Sequence, residues 1–352
     1  METGEIRVNK MTKEQELRKQ LGFEEEIFYH YCSLEALYGI ITSKSFWLTS
    51  LNSTNDSKEL KVGQTILDNA LQELIIKEED LQYKKLLEKI ANAPRDVEYK
   101  KLRKNKNRHY YGASFVNNRD SLTHWERYGN NGFGVCIAFN IWMLQNYFMY
   151  KSLPDICRTW LWHDKVIYNG QQQKEHIKTI IRSKINGMIK GARTYNYEVN
   201  MDKMLTIPNM CNVLYYTTLA QVRPTFKHLG FSDEHEYRLV FEEGEAEENA
   251  QYLCKIASRG ENENGFLDLS ERIKIVIDEL GLAQEKRKHT MLGKSIRSYY
   301  ALNLEPIWGG DALIPEIILG PRCYQNKREL EVFIKCNSLF GTKVRTSVIP
   351  IR

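Results

Sequence analysis

Two glutamates and an arginine stand at the start of an apolar run, in residues 233–241, where Glu234, Glu236 and Arg238 alternate with other side chains. Residues 237–241 have the aromatic and β-branched content of a buried strand, and alternation along a strand places the three charged side chains on one face. Two neighbouring carboxylates raise each other's pKa unless a cation offsets them, which is the tuning that charge stabilisation or acid-base chemistry requires. The alternative is an edge strand with a salt-bridged, solvated face, since structural ion pairs perturb pKa values as readily.

Length and composition describe an ordinary folded protein. The 352 residues allow two average domains or one large domain with insertions, and 42% hydrophobic and 27% charged residues are typical of globular chains. Seven scattered cysteines without a CxxC pair indicate a reducing compartment and no zinc site. No apolar stretch approaches the roughly 20 residues of a membrane span, and no signal-peptide core follows Met1. We therefore expect a cytoplasmic protein without a membrane partner.

The chain has only a small excess of basic residues, but many of them lie close together in one segment. The formal net charge is only +5, but six of the nine residues from Lys100 to Arg108 are lysine or arginine, and His109, Tyr110 and Tyr111 follow. Basic side chains beside aromatic rings can hold a phosphate backbone and stack bases, which favours RNA or single-stranded DNA as a partner. A solvated helix end or loop is the alternative interpretation.

The elements that must position these residues follow from periodicity. Aromatic and β-branched runs predict strands at 27–32, 46–49, 112–116, 132–139, 237–242, 273–277 and 317–319. Helical spacing predicts a helix after Ser33, a short helix at 121–129 in which Trp125 and Tyr128 share a face, and helical stretches through 140–220. Two solvated helices, broken near Pro94, are predicted between 59 and about 106.

This order of elements predicts the α+β class, because strands and helices do not alternate as βαβ units. The chain has no GxGxxG and no GxxxxGK[ST] motif, which excludes a Rossmann pyrophosphate turn and a Walker loop. We expect an N-terminal arm at 1–26, a single α+β domain at 27–325 with helical insertions at about 59–106 and 140–220, and a C-terminal extension at 326–352.

Four spaced segments contain Tyr29-His30-Tyr31; Phe46-Trp47-Leu48 with Asn55-Asp56 and Glu59; Ser114-Phe115, His124-Trp125, Tyr128, Gly132, Gly134 and Phe139; and residues 234–239 with 317–321. In combination, these segments resemble the bacterial family known as domain of unknown function 2971. The resemblance covers about residues 27 to 325. Ser57 stands where the family's second motif has proline.

The same layout resembles the ADP-ribosyltransferases more loosely, with a histidine on the first strand and a glutamate on a late strand. That resemblance implies a split β-sheet core and NAD as the co-substrate. It assigns a ribose contact to His30, the nicotinamide ribose to Glu236, and nicotinamide stacking to one of the rings Tyr31, Trp125 and Tyr128. Glu234 is placed like the first glutamate of the Glu-x-Glu pair in the branch that modifies arginine and some nucleobases.

The resemblance therefore implies an NAD-dependent ADP-ribosyltransferase-like toxin or anti-phage defence effector, with an antitoxin or immunity protein as a further partner. RNA is the favoured acceptor, and DNA or protein are the alternatives. Glu236 would stabilise the oxocarbenium ion that forms as nicotinamide leaves. Glu234 would orient or deprotonate the acceptor, and Arg238 or Arg223 would pair with the pyrophosphate.

Two other readings use the same residues. One is a non-catalytic module whose polar cluster binds a ligand or partner, with His30, Trp125 and Tyr128 as core residues. The other is a metal-dependent nuclease that uses the carboxylates of Asp56, Glu59, Glu234 and Glu236.

Overall fold

A computed structural model gives the structure of the protein and describes residues 27–51, 59–93, 109–141, 143–144, 161–194, 210–243, 278–283, 286–292, 295–309 and 313–350. Several predicted features lie outside these residues: the arm at 1–26, the Asn55-Asp56 turn, Pro94, the basic run at 100–108 and the strand at 273–277. The described residues form a mixed α+β structure, which confirms the predicted class.

The strands are β1 Ile27–Cys32, β2 Ser45–Ser50, β3 Tyr110–Val116, β4 Val135–Asn140, β5 Leu161–Lys165, β6 Glu236–Glu242, β7 Lys288–Leu292, β8 Ser295–Asn303, β9 Glu316–Leu319 and β10 Lys343–Thr346. The helices are α1 Leu34–Ser43, α2 Glu59–Lys77, α3 Leu81–Asn92, α4 Leu122–Arg127, α5 Gly170–Thr194, α6 Met210–Val222 and α7 Lys327–Cys336. None of the helices in these ranges is long and apolar enough to cross a membrane.

The chain divides into two compact units. The first unit takes the described parts of Met1–Leu34, Arg119–Phe148 and Ile307–Arg352, and the second takes those of Glu35–Asn118 and Met149–Pro306.

The first unit contains a mixed sheet in the order β10-β9-β4-β1. The pairs β1–β4 and β4–β9 are antiparallel, whereas β9 and β10 are parallel. A parallel pair needs a crossover, which α7 supplies between these two strands. Part of the predicted C-terminal extension therefore belongs to this sheet.

The second unit contains an antiparallel sheet in the order β5-β6-β3-β2-β8-β7. Directly paired residues lie on the same face, and residues two apart on one strand share that face. One face therefore carries Glu236, Arg238 and Val240 of β6 together with Ser114 of β3 and Trp47 of β2.

Helices α2, α3, α5 and α6 form a separate hydrophobic core in the second unit, with Leu71, Leu86, Ile177 and Tyr215 among its buried residues. The prediction that the helices of the first insertion are solvated was wrong. Many of their lysines and glutamates are exposed, whereas most of the apolar residues between them are buried in this core; Ile76 and Leu81 remain exposed. The break that the structure describes lies at 78–80, where Asp80 caps α3 by accepting from Gln82 N at 2.8 Å.

Strands β5, β7, β8 and β10 were missed. Residues 161–165 lie in the region 140–220 that was predicted to contain helical stretches, but they form a strand that pairs antiparallel with β6. The hairpin of β7 and β8 extends the sheet beyond β2. Lys288 and His289 make β7 polar, so this strand lacks the apolar signal on which the prediction depended, whereas β8, which buries Tyr300 and Leu302, has such a signal and was overlooked.

Candidate functional site

The carboxylate of Glu236 lies at the first residue of β6 and is buried, with 4% of the residue exposed. Arg238 Nε donates to Oε1 at 2.7 Å and Arg238 Nη2 to Oε2 at 3.1 Å. Lys227 Nζ lies 2.6 Å from Oε2. The hydroxyl of Ser114 also donates to Oε1. Each carboxylate oxygen therefore has two donors nearby, and these donors come from three residues.

Glu234 belongs to the same cluster, but it does not lie on β6. It ends a 3₁₀ helix, Leu229–Glu234, and His235 follows in a left-handed conformation with φ 44°. The predicted alternation across Glu234 was therefore wrong, because this turn interrupts the strand before Glu236. Lys227 Nζ nevertheless lies 2.7 Å from Glu234 Oε2, so one ammonium group joins the two carboxylates.

Arg238 is held by more than its ion pair. Its Nη1 donates to the carbonyl oxygen of Pro224 at 2.6 Å, and the residue is 7% exposed. A pyrophosphate would have to replace these contacts to pair with this guanidinium. Arg223, the other predicted partner of a pyrophosphate, donates from Nη2 to Gln64 Oε1 at 3.3 Å.

The backbone of Glu236 is also fixed. Its N–H donates to the hydroxyl of Tyr168 at 3.0 Å, and its carbonyl accepts from Val166 N at 2.9 Å. Burial raises the pKa of the Tyr168 hydroxyl, so this group stays neutral and can accept at any physiological pH.

The cations determine the charge of Glu236. Burial by itself raises the pKa of this carboxyl group, but Arg238 and Lys227 outweigh that effect and lower the pKa to about 2. Glu236 is therefore ionised throughout the neutral range. A buried, ionised carboxylate interacts more strongly with nearby positive charge than an exposed one does, because the surrounding dielectric is low.

Solvent reaches this cluster at Ser114. This residue lies opposite Arg238 in the β3–β6 register and is exposed, although its hydroxyl bonds Glu236. Exposed Ser114 thus lies next to the buried carboxylate, and a ligand could approach Glu236 from this side.

The first unit holds the predicted aromatic residues. The ring of Tyr31 stacks on His124 with centroids 5.4 Å apart and meets the edge of Trp125 at 4.8 Å. Trp125 is fully buried, and its indole N–H donates to Asp120 Oδ1 at 2.6 Å. Tyr128, whose ring centroid lies 6.1 Å from that of His124, is 45% exposed. Of the three predicted stacking rings, Tyr128 is the one that a ligand can contact in this structure.

His30 lies next to Tyr31 on β1, so strand alternation directs the two side chains to opposite faces of the sheet. They cannot hold the same part of one ligand from one side. His30 belongs to the first unit and Glu236 to the second, and the binding of one NAD by both residues, which the resemblance implies, stays a prediction.

Sequence reasoning missed Lys227, Ser114 and Tyr168. Ser114 was predicted on a strand, but its position beside Glu236 follows only from the pairing of β3 with β6. Lys227 lies in a loop, where no periodicity marks a side chain as part of a site.

No three histidine, cysteine, aspartate or glutamate side chains within the described ranges are arranged to hold a metal ion. Asp56 and the side chain of Glu59 lie outside those ranges, so the carboxylate set of the nuclease reading stays a prediction.

Residues 124–239, about a third of the chain, match the family model described as "Protein of unknown function (DUF2971)". The predicted family resemblance is thereby confirmed. The match begins at His124 in the aromatic cluster and ends in β6, so it includes Glu234, Glu236 and Arg238. No curated protein and no solved structure matches the chain.

Proposed function

We propose that this protein is an ADP-ribosyltransferase-like enzyme that uses NAD as its co-substrate, with Glu236 as the charge-stabilising residue. The proposal includes the finer fold assignment, a split β-sheet core of the ADP-ribosyltransferase type. It also includes the biological setting: a cytoplasmic toxin or anti-phage defence effector, controlled by an antitoxin or immunity protein.

The observation that carries the proposal is that Glu236, a buried and ionised carboxylate, is hydrogen-bonded to Ser114, a residue exposed to solvent. In the proposed reaction, the bond between C1′ of the ribose and the nicotinamide nitrogen breaks, and neutral nicotinamide leaves with the electron pair. An acceptor oxygen or nitrogen then bonds to C1′ and loses its proton. The intermediate charge on the ribose is positive, so a fixed negative charge stabilises the transition state.

Ser114 is the donor that a ribose hydroxyl would replace. A hydrogen bond from the uncharged Ser114 hydroxyl to the ionised carboxylate contributes about 1.5–3 kcal/mol, and breaking it leaves no charge unpaired, whereas removing one partner of a buried ion pair costs about 3–5 kcal/mol. The other donors to the Glu236 carboxylate, Arg238 and Lys227, are both charged. The exposed serine is therefore the partner most easily exchanged for a substrate hydroxyl.

The remaining roles follow from position. Glu234, held by the same lysine as Glu236, is proposed to orient or deprotonate the acceptor. Tyr128 is proposed to contact the nicotinamide and His30 a ribose.

A specific observation favours a second function, a non-catalytic module that binds a ligand or partner. Glu236 accepts from Ser114, from two nitrogens of Arg238 and from Lys227. A carboxylate has about four acceptor sites. This one is satisfied without any ligand, as in a purely structural ion network.

Incubation of the protein with NAD labelled in the adenine ring, together with total RNA or cell lysate, separates the two functions. We expect label in RNA or protein, or free ADP-ribose, from the unaltered chain. Glu236→Gln keeps the volume and removes the charge, so turnover should fall by a factor on the order of 100 or more. Glu316→Gln is the matched control, because it neutralises another carboxylate that is paired with arginines, in the first unit. An unaltered chain that never turns over NAD would leave the binding module as the function.

A further inference from the structure

An aromatic stack lies on the sheet of the second unit, formed by Trp47 of β2 and Tyr299 of β8. Their ring centroids are 4.1 Å apart, and the ring planes differ by 25°. Trp47 is 44% exposed, whereas Tyr299 is 9% exposed. Tyr299 therefore supports the indole, and Trp47 offers the ring surface that another molecule can reach.

Two cations share this face of the sheet. Lys288 of β7 pairs directly with Tyr299, and Arg297 precedes Tyr299 by two residues on β8. Lys288 is exposed and Arg297 is partly exposed. Neither forms an ion pair with a described carboxylate, unlike the adjacent Lys286, which pairs with Asp278 at 2.7 Å. Among the described residues, these two charges are therefore left without a carboxylate partner.

The stack lies on the same face as the Glu236 cluster. Thr49 of β2 is paired with Gly112 of β3, and Gly112 is paired with Val240 of β6. Trp47 shares the face of Thr49, and Glu236 shares the face of Val240. Adjacent strands are about 4.8 Å apart, so only about 10 Å separates β2 from β6 across the sheet.

We infer that Trp47, Tyr299, Lys288 and Arg297 form a binding surface for single-stranded nucleic acid. A base stacks on Trp47, and backbone phosphates pair with Lys288 and Arg297. Stacking requires an unpaired base and tolerates any sequence, since every base has a π-face. An acidic polypeptide would use the cations but gain nothing specific from the exposed indole. The identification of this nucleic acid as the acceptor of ADP-ribose rests on the proposed function, whereas the binding surface itself does not depend on it.

The test is fluorescence anisotropy with a labelled single-stranded RNA of about 12 nucleotides, within the site sizes of known single-strand binders. Trp47→Ala should weaken binding about 5- to 100-fold, the range for loss of one stacked base, while Trp47→Phe should retain most of the affinity. Tyr38→Ala is the matched control, because Tyr38 is 61% exposed on α1 and lies outside the surface. It should leave binding unchanged.

Salt dependence tests the cations. Lys288→Ala should reduce the slope of log affinity against log salt concentration by about 0.7, the value for one phosphate contact on a single strand. Lys286→Ala, which removes a lysine already paired with Asp278, should leave that slope unchanged.

Three results would overturn the inference: no RNA binding at low salt, equal affinity of Trp47→Ala and the unaltered chain, or equal binding of duplex RNA. Competition by polyglutamate as strong as that by RNA, without any effect of Trp47→Ala, would identify an acidic polypeptide as the partner instead. Binding that depends on Trp47, without NAD turnover, would refute the proposed function alone. NAD-dependent labelling of RNA that Trp47→Ala leaves unchanged would refute this inference alone.

Discussion

Replacement of Glu236 by glutamine should lower the stability of the fold in a manner that depends on pH. Arg238 and Lys227 hold the pKa of this carboxyl at about 2, against an ordinary value of 4.5. At about 1.4 kcal/mol per pH unit, this difference corresponds to about 3 kcal/mol of stabilisation. Because the pKa of the folded state is the lower one, the stabilisation is fully present above about pH 4.5. It is lost as the pH falls to about 2.

Urea unfolding followed by tryptophan fluorescence, repeated between neutral pH and about pH 2.5, measures this effect. We expect Glu236→Gln to be less stable by about 3 kcal/mol at neutral pH, at the lower end of the about 3–5 kcal/mol seen when a buried ion pair loses one partner. The difference from the unaltered chain should narrow below about pH 4.5, since a protonated glutamate resembles glutamine.

Glu73→Gln is the control for this experiment. Hydrogen bonds from Lys174 and Lys178 lower the pKa of Glu73 to about 2, but its side chain is 34% exposed. Solvent screens such a pair, so the loss should be smaller than for Glu236→Gln. A stability difference for Glu236→Gln that stays constant from neutral pH to about pH 2.5 would refute the assignment of a buried, ionised carboxylate.

Five further substitutions test other positions. Glu234→Gln should reduce transfer to the acceptor more than cleavage of NAD to free ADP-ribose, measured as the ratio of the two products; an equal fall in both would contradict its proposed role. Tyr128→Ala should weaken NAD binding in calorimetry with little change in melting temperature, whereas Trp125→Ala should destabilise the fold by about 3–5 kcal/mol because its indole is fully buried. His235→Gly should keep or raise the urea midpoint, since φ of 44° disfavours a residue with a Cβ. Gly134→Ala should lower the melting temperature sharply, because its Cβ would lie 2.2 Å from the carbonyl oxygen of Cys32.

Strands β1, β4 and β9 of the first unit could be read from the sequence because their apolar runs are continuous, whereas the short polar strand β10 was not predicted. Strand β1 was predicted at 27–32 and forms at those residues. Strand β4 was predicted to begin at Gly132, but this glycine has φ 86° and belongs to a turn that precedes the strand. Periodicity located the strand correctly, and turn geometry determined where it begins.

Pairing between strands could not be read from the sequence, and the candidate site depends on it. The face of Ser114 was predictable, but its neighbour Arg238 became known only from the β3–β6 register. The left-handed turn at His235 likewise carries no periodic signal. The strand alternation of side chains was therefore predicted to include Glu234, although β6 begins only at Glu236.

The two proposed functions of the Glu236 cluster differ in which donor can leave the carboxylate. Among the described residues, two carboxylates, Glu234 and Glu236, face two cations, Lys227 and Arg238, so the formal charges of these four side chains cancel. Loss of either cation would leave buried charge unpaired, which is strongly destabilising. Loss of the Ser114 hydrogen bond leaves every charge paired and exposes one acceptor site on Oε1 to solvent. The same arrangement can therefore stabilise the fold and bind a ligand. In the second case, a ligand hydroxyl replaces Ser114 as the donor to the Glu236 carboxylate.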